Sequence, residues 1–80
     1  MKEKTADELF EDLGYEKKNL DIILSRFWEE WENQDLAKTL SFNNHYETFY
    51  ITDEDGCGIT MKELQAINRK VEELGWNEKS

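Results

Sequence analysis

The sequence predicts an α+β fold, with a helix near each end and antiparallel strands between the helices. The two end segments, 5-TADELFEDLGY-15 and 60-TMKELQAINRKVEELGW-76, share the same boundary residues. Each begins with Thr-x-x-Glu-Leu and ends with Leu-Gly-aromatic. The intervening 36-LAKTLSFNNHYETFYIT-52 alternates apolar with polar residues and is rich in β-branched and aromatic types, as strands are. These observations place a helix near each end of the chain and strands between them.

The first helix is predicted over residues 5–13. Thr5 and Glu8 have the spacing of a capping box, in which the threonine hydroxyl and the glutamate carboxylate each accept a hydrogen bond from the other residue's amide. Gly14 stands where a left-handed residue ends a helix. We therefore expect Tyr15 to fold back over Phe10 in a Schellman motif.

The second helix is predicted over residues 60–74. Thr60 and Glu63 repeat the capping-box spacing of the first helix. One apolar stripe follows at helical spacing and is expected to face the core: Leu64, Ile67, Val71 and Leu74.

The middle of the chain predicts a β-hairpin, with strands over residues 36–43 and 46–52. The residues 43-NNH-45 tolerate unusual backbone angles and supply the turn. On the return strand, Phe49 and Ile51 are expected to share one face.

The segment 20-LDIILSRFWEEWE-32 fits two structures. Its apolar residues follow the spacing of an amphipathic helix, which the local pattern favours. As a strand, the segment would place Phe27 and Trp31 on one face and Trp28 on the other. The helical alternative leaves a single hairpin in the middle of the fold.

Composition narrows the class of protein. The 80 residues suffice for one small domain, and the net charge of −9 opposes direct binding to nucleic acid or to an anionic membrane surface. An acidic surface can instead serve solubility, or match a basic partner such as the nucleic-acid groove of another protein. Cys57 is the single cysteine, which together with the lack of a signal-peptide core or bilayer-spanning apolar run predicts a cytoplasmic protein.

The stretch 53-DEDGCGITMKEL-64 resembles a calcium-binding loop without completing one. A loop that starts at Asp53 has Asp55 at its third position but Cys57 at the fifth, where an oxygen ligand is needed. Glu63 then stands one position before the required glutamate, and its spacing from Thr60 gives it a capping role. We expect no calcium site here, although Asp53, Glu54 and Asp55 could attract divalent cations weakly.

The usual catalytic arrangements are missing from the sequence. One histidine and one cysteine cannot supply a zinc ligand set within a monomer, and no phosphate-binding glycine loop or nucleophile motif occurs. The sequence therefore predicts a protein that is not an enzyme and uses no cofactor.

The strings TADELFEDLGYEK and ITMKELQAINRKVEELGW resemble small proteins encoded by phages and prophages of Firmicutes. The resemblance covers the two ends, about half of the chain. It implies a compact module with a short antiparallel sheet between its end helices, in a bacterial host cell. Residues 21–31 then become the first strand of a three-stranded meander, in the order αβββα. The resemblance implies no activity and no site residues.

The leading functional hypothesis is a phage or prophage accessory protein that binds a host or phage protein. Its motivation is 27-FWEEWE-32, where a tryptophan ringed by carboxylates would suit an interface. The partner could be a host defence or nucleic-acid-binding protein, inhibited as by an anti-CRISPR-like protein or a DNA mimic. The candidate partner-binding residues are Trp28, Trp31, Glu29, Glu30, Glu32, Asp53, Glu54 and Asp55.

The sequence leaves three alternatives open. All three tryptophans could fill the core. The protein could be a self-associating structural or regulatory module, a homodimer joined by an edge strand and exposed aromatic residues. It could also be a weak divalent-cation-binding protein that uses the loop after residue 52.

Overall fold

Two helices pack on one face of an antiparallel sheet in the computed structural model, which describes residues 4–76. The elements are α1 (Ala6–Asp12), β1 (Glu16–Lys17), a 3-10 helix (Leu24–Arg26), β2 (Trp28–Asn33), β3 (Lys38–Asn43), β4 (Thr48–Asp53) and α2 (Met61–Glu73). The four strands lie in chain order, each antiparallel to its neighbour. The α+β prediction is confirmed, whereas the three-stranded αβββα arrangement is wrong in detail because β1 adds a strand.

The segment between β1 and β3 corrects the sequence prediction most. The strand expected over 21–31 begins only at Trp28, because Asp21 accepts a hydrogen bond from the Leu24 amide (2.7 Å) and starts the 3-10 turn. The helical alternative for 20–32 is also wrong, since every residue of β2 pairs with β3. Tertiary pairing here overrides a helical pattern. The two polar residues of β1 gave no alternation that could have predicted a strand.

Both predicted capping boxes are present, Thr5 with Glu8 and Thr60 with Glu63. The Schellman prediction is confirmed as well. Gly14 has a φ of +94°, and the Tyr15 amide donates to the carbonyl of Phe10 (2.9 Å). These motifs set where each helix begins and where α1 ends.

The hairpin of β3 and β4 is confirmed with shifted ends. Phe42 pairs with Phe49 and Leu40 with Ile51, so these four side chains share one face of the sheet. The turn falls at residues 44–47, and the left-handed residue in it is Glu47 (φ 55°).

The core lies between the sheet and the two helices. Its buried apolar residues are Ala6, Phe10, Tyr15, Trp31, Leu40, Phe42, Ala66 and Ile67. The buried side of α2 is rotated from the predicted stripe: Ile67 is buried as expected, Leu64 is exposed, and the charged residues Glu63 and Lys70 are buried instead. No helix within residues 4–76 is long and apolar enough to cross a bilayer.

Candidate functional site

The alternation of β2 sends its tryptophans to opposite sides of the sheet. Trp31 faces the helices, is 1% exposed, and lies with its ring centroid 5.0 Å from that of Phe10. Trp28 lies on the other side, which neither helix covers. We call this side the open face. Its residues on β2, β3 and β4 are Trp28, Glu30, Glu32, Thr39, Ser41, Asn43, Thr48, Tyr50 and Thr52.

An aromatic pair occupies the centre of the open face. Trp28 of β2 stacks on Tyr50 of β4, with ring centroids 5.7 Å apart and ring planes 23° apart. The pair spans β3, and Ser41 of that strand is buried although it lies on the open face. The rings thus shield the middle of the sheet, while Tyr50 itself stays 50% exposed.

Carboxylates border the aromatic pair. Trp28 Nε1 donates to Glu30 Oε1 (3.0 Å), and Glu16 of β1 pairs with Glu32 in the register of the sheet. Lys18 Nζ lies 3.4 Å from Glu30 Oε2 and 4.0 Å from Glu32 Oε1. Exposed ion pairs such as these contribute little to stability. The open face therefore combines a stacked indole with a mainly acidic border.

Two of the candidate partner-binding residues on β2 lie on the opposite face. Trp31 is a core residue, and its Nε1 donates to Glu29 Oε2 (2.7 Å). Glu29 also lies 2.6 Å from Lys70 Nζ, so its carboxylate is engaged inside the fold. The interaction hypothesis consequently retains Trp28, Glu30 and Glu32 from this part of the chain.

The acidic turn after β4 has a local structural role. Asp53 accepts hydrogen bonds from the Gly56 amide (3.1 Å) and the Gly58 amide (2.7 Å), and so closes the turn. Glu54 and Asp55 are exposed in this turn. Within residues 4–76, no three potential metal-binding side chains come together.

A buried polar cluster of Tyr15, Lys38 and Glu63 joins three parts of the chain. Glu63 is 2% exposed and accepts from the Tyr15 hydroxyl (2.7 Å), from Lys38 Nζ (2.9 Å) and from the Thr60 amide (2.8 Å). Burial alone would raise the pKa of Glu63, but these hydrogen bonds outweigh it and hold the pKa below its usual value. Burial and the bond to Glu63 raise the pKa of Tyr15.

A second cluster forms around Lys70. Its Nζ lies 2.7 Å from Asp7 Oδ1 and 2.6 Å from Glu29 Oε2, and 5.9 Å from the centroid of the Trp31 ring. Burial would lower the pKa of Lys70, but its hydrogen bonds to Asp7 and Glu29 raise the pKa overall. Lys70 therefore links α2 to α1 and to the helix-facing side of β2.

Acid is expected to destabilise the fold through Glu63. Because its folded pKa is lowered, the stabilisation is complete above the ordinary glutamate pKa of about 4.3 and is lost as the pH falls through the folded value. Carboxyl-carbon NMR of the protein should give a Glu63 midpoint below that of glutamate in an unstructured peptide, with urea-unfolding free energies falling over the same pH range. A Glu63 midpoint at or above the peptide value would contradict the cluster.

The chain matches no protein-family model, no curated protein and no solved structure. The open face is thus the feature from which a function can be inferred. Sequence reasoning identified Trp28, Glu30 and Glu32 but missed Tyr50 and Lys18. Tyr50 carried a usable signal, because its parity on the return strand opposes that of Phe49 and Ile51. Lys18 carried none, since β1 was not predicted.

Proposed function

We propose that the protein acts by binding another protein through the open face. The observation that supports this most is the Trp28–Tyr50 stack, an aromatic surface on the side of the sheet opposite α1 and α2. Tryptophan and tyrosine dominate the energetics of protein interfaces, because they bury much area at small cost in conformational entropy. Glu30 already fixes the Trp28 indole by a hydrogen bond, so the surface is partly preorganised.

The partner surface is proposed to carry basic side chains around an apolar centre. The border of the open face has Glu16, Glu30 and Glu32 against Lys18, and the whole chain has a net charge of −9. Such a field repels phosphate backbones and anionic lipid but speeds association with a basic protein surface.

A host nucleic-acid-binding or defence protein has the required basic groove. We therefore propose a phage- or prophage-encoded accessory protein that occupies such a groove in the manner of a DNA mimic or an anti-CRISPR-like inhibitor. The net negative charge and the resemblance of the two end segments to phage proteins support this proposal.

Replacing Trp28 with alanine should abolish capture of the partner while the protein stays folded. The substitution removes the centre of the open face and costs about 1 kcal/mol of stability through the lost stack. Partners captured from a bacterial lysate by the wild-type protein would be identified by mass spectrometry, purified, and titrated against both proteins. We expect the Kd to rise at least about 30-fold, as for a central aromatic residue of an interface.

Tyr46→Ala is the matched control, since Tyr46 is an exposed aromatic residue in the turn between β3 and β4, outside the open face. It should leave the Kd unchanged. Equal binding by Trp28→Ala and wild type would refute an interface at this face. The mimicry proposal requires in addition that salt weakens binding, that DNA or RNA competes, and that Glu30→Gln with Glu32→Gln reduces the salt dependence.

A further inference from the structure

The outer edge of β4 is a second surface, which borders the open face and shares Thr48, Tyr50 and Thr52 with it. The Glu54 amide donates to the carbonyl of Ala37, which lies opposite it in the register of β3 and β4. Because hydrogen-bonded residues alternate along an antiparallel pair, the N–H and C=O groups of residues 48, 50 and 52 also point toward β3. The N–H and C=O groups of Phe49 and Ile51 consequently point away from the sheet. Within residues 4–76, β3 is the only strand paired with β4, so this edge has no strand partner there.

The sequence along this edge is nearly symmetric about Tyr50. The segment 48-TFYIT-52 has threonine at each end, a large apolar residue on each side of the centre, and Tyr50 in the middle. It contains no charge and no proline, the devices by which sheet edges usually avoid pairing. The nearest charges lie outside it: Glu47 has a left-handed φ of 55°, and the Asp53 carboxylate is held by the turn amides.

We propose that β4 pairs antiparallel with β4 of a second copy of this chain, about a twofold axis at Tyr50. Phe49 of each copy then lies opposite Ile51 of the other, and these outward-facing residues exchange about four backbone hydrogen bonds. The two sheets become one continuous sheet.

The side chains favour this register over its neighbours. On the helix side of the sheet, Phe49 meets Ile51, which is 44% exposed in a single copy. On the open side, Thr48 meets Thr52, and Tyr50 meets its own copy. A shift by one residue is excluded, because it sets inward-facing backbone groups against outward-facing ones. A shift that moves the twofold axis from Tyr50 to Ile51 would place Phe49 opposite the carboxylate of Asp53.

The pairing does not rest on the proposed function, and its salt dependence has the opposite sign. Each copy carries a net charge of −9, so two copies repel one another and added salt should strengthen the dimer. Binding of a basic partner at the open face should instead weaken with salt. Failure of one proposal is thereby distinguishable from failure of the other.

Amide hydrogen exchange of the wild-type protein tests the edge directly. In a concentration series from micromolar to millimolar, the amides of Phe49 and Ile51 should become protected as sedimentation shows monomers converting to dimers. The amides of Tyr50 and Thr52 serve as internal controls, since β3 protects them at every concentration. A protein that stays monomeric, or that dimerises while Phe49 and Ile51 exchange freely, would overturn the proposal.

A charge exchange at Tyr50 tests the register. Because Tyr50 faces its own copy, Tyr50→Lys alone and Tyr50→Glu alone should each be monomeric, whereas an equimolar mixture should form a heterodimer. Gln65→Lys and Gln65→Glu make the same charge changes on the exposed side of α2 and should leave the wild-type dimer intact. Circular dichroism would verify that each variant is folded. A mixture that stays monomeric, or single variants that still dimerise, would refute the twofold axis at Tyr50.

Discussion

Replacing Glu63 with glutamine should reduce the free energy of unfolding by about 3–5 kcal/mol, the range for breaking a buried ion pair at one partner. The neutral amide leaves the Lys38 ammonium, itself 2% exposed, without its counter-charge. It also weakens the bonds from the Tyr15 hydroxyl and the Thr60 amide. Urea unfolding followed by circular dichroism measures the loss.

Glu8→Gln is the matched control, because Glu8 holds the same capping-box position in α1 but is exposed. It should cost no more than about 0.5 kcal/mol. Adding Lys38→Met to Glu63→Gln should restore part of the lost stability, since it removes the uncompensated charge. Equal losses for Glu8→Gln and Glu63→Gln would show that Glu63 acts as a helix cap alone.

Trp31→Ala is expected to cost about 3–5 kcal/mol, the range for emptying a buried aromatic site. A domain of this size has a total free energy of unfolding toward the low end of about 5–15 kcal/mol. A large fraction of the variant molecules should therefore be unfolded in mild denaturant. The substitution removes the ring beside Phe10 and the indole N–H that Glu29 accepts, and it leaves a cavity next to Lys70.

Trp28→Ala provides the comparison, since the same residue type three positions earlier should cost only about 1 kcal/mol. Trp31→Phe should fall between the two, because it keeps an aromatic ring but loses the indole hydrogen bond. Similar unfolding midpoints for Trp28→Ala and Trp31→Ala would mean that both tryptophans contribute equally to the core, contrary to the structure.

The helix boundaries could be predicted because their signals are local. A threonine and a glutamate three residues apart satisfy each other's amides, and Gly14 adopts a left-handed angle that other residues avoid. Each motif closes within a few residues, so its spacing in the sequence suffices to locate it. The parity of β3 and β4 was predictable for the same reason.

Residues 20–32 could not be predicted, because their structure depends on distant partners. The apolar pattern suits a helix, but β2 gains backbone bonds from β3 and places Trp31 against Phe10. The burial of Lys38 and Glu63 was hidden for a related reason. Capping spacing gave Glu63 one role, and nothing local shows that a lysine 25 residues earlier reaches the same carboxylate.

Only part of the candidate site could be predicted from the sequence. Alternation along a strand separates Trp28 from Trp31, but which of them is covered depends on where both helices pack. The stack of Trp28 on Tyr50 joins β2 to β4 across an intervening strand. Such a contact follows from strand order, which the sequence left open.

The placement of Trp28 and Trp31 on opposite sides of one strand gives the molecule two separate fluorescent reporters. The fluorescence emission of the buried Trp31 indole should shift to longer wavelength when the chain unfolds. Emission from Trp28, which is partly buried and stacked on a tyrosine, should respond when a ligand docks against it. In a chain with Trp76 replaced by phenylalanine, the two emission signals would thus distinguish a ligand that binds the native state from a change that destabilises it.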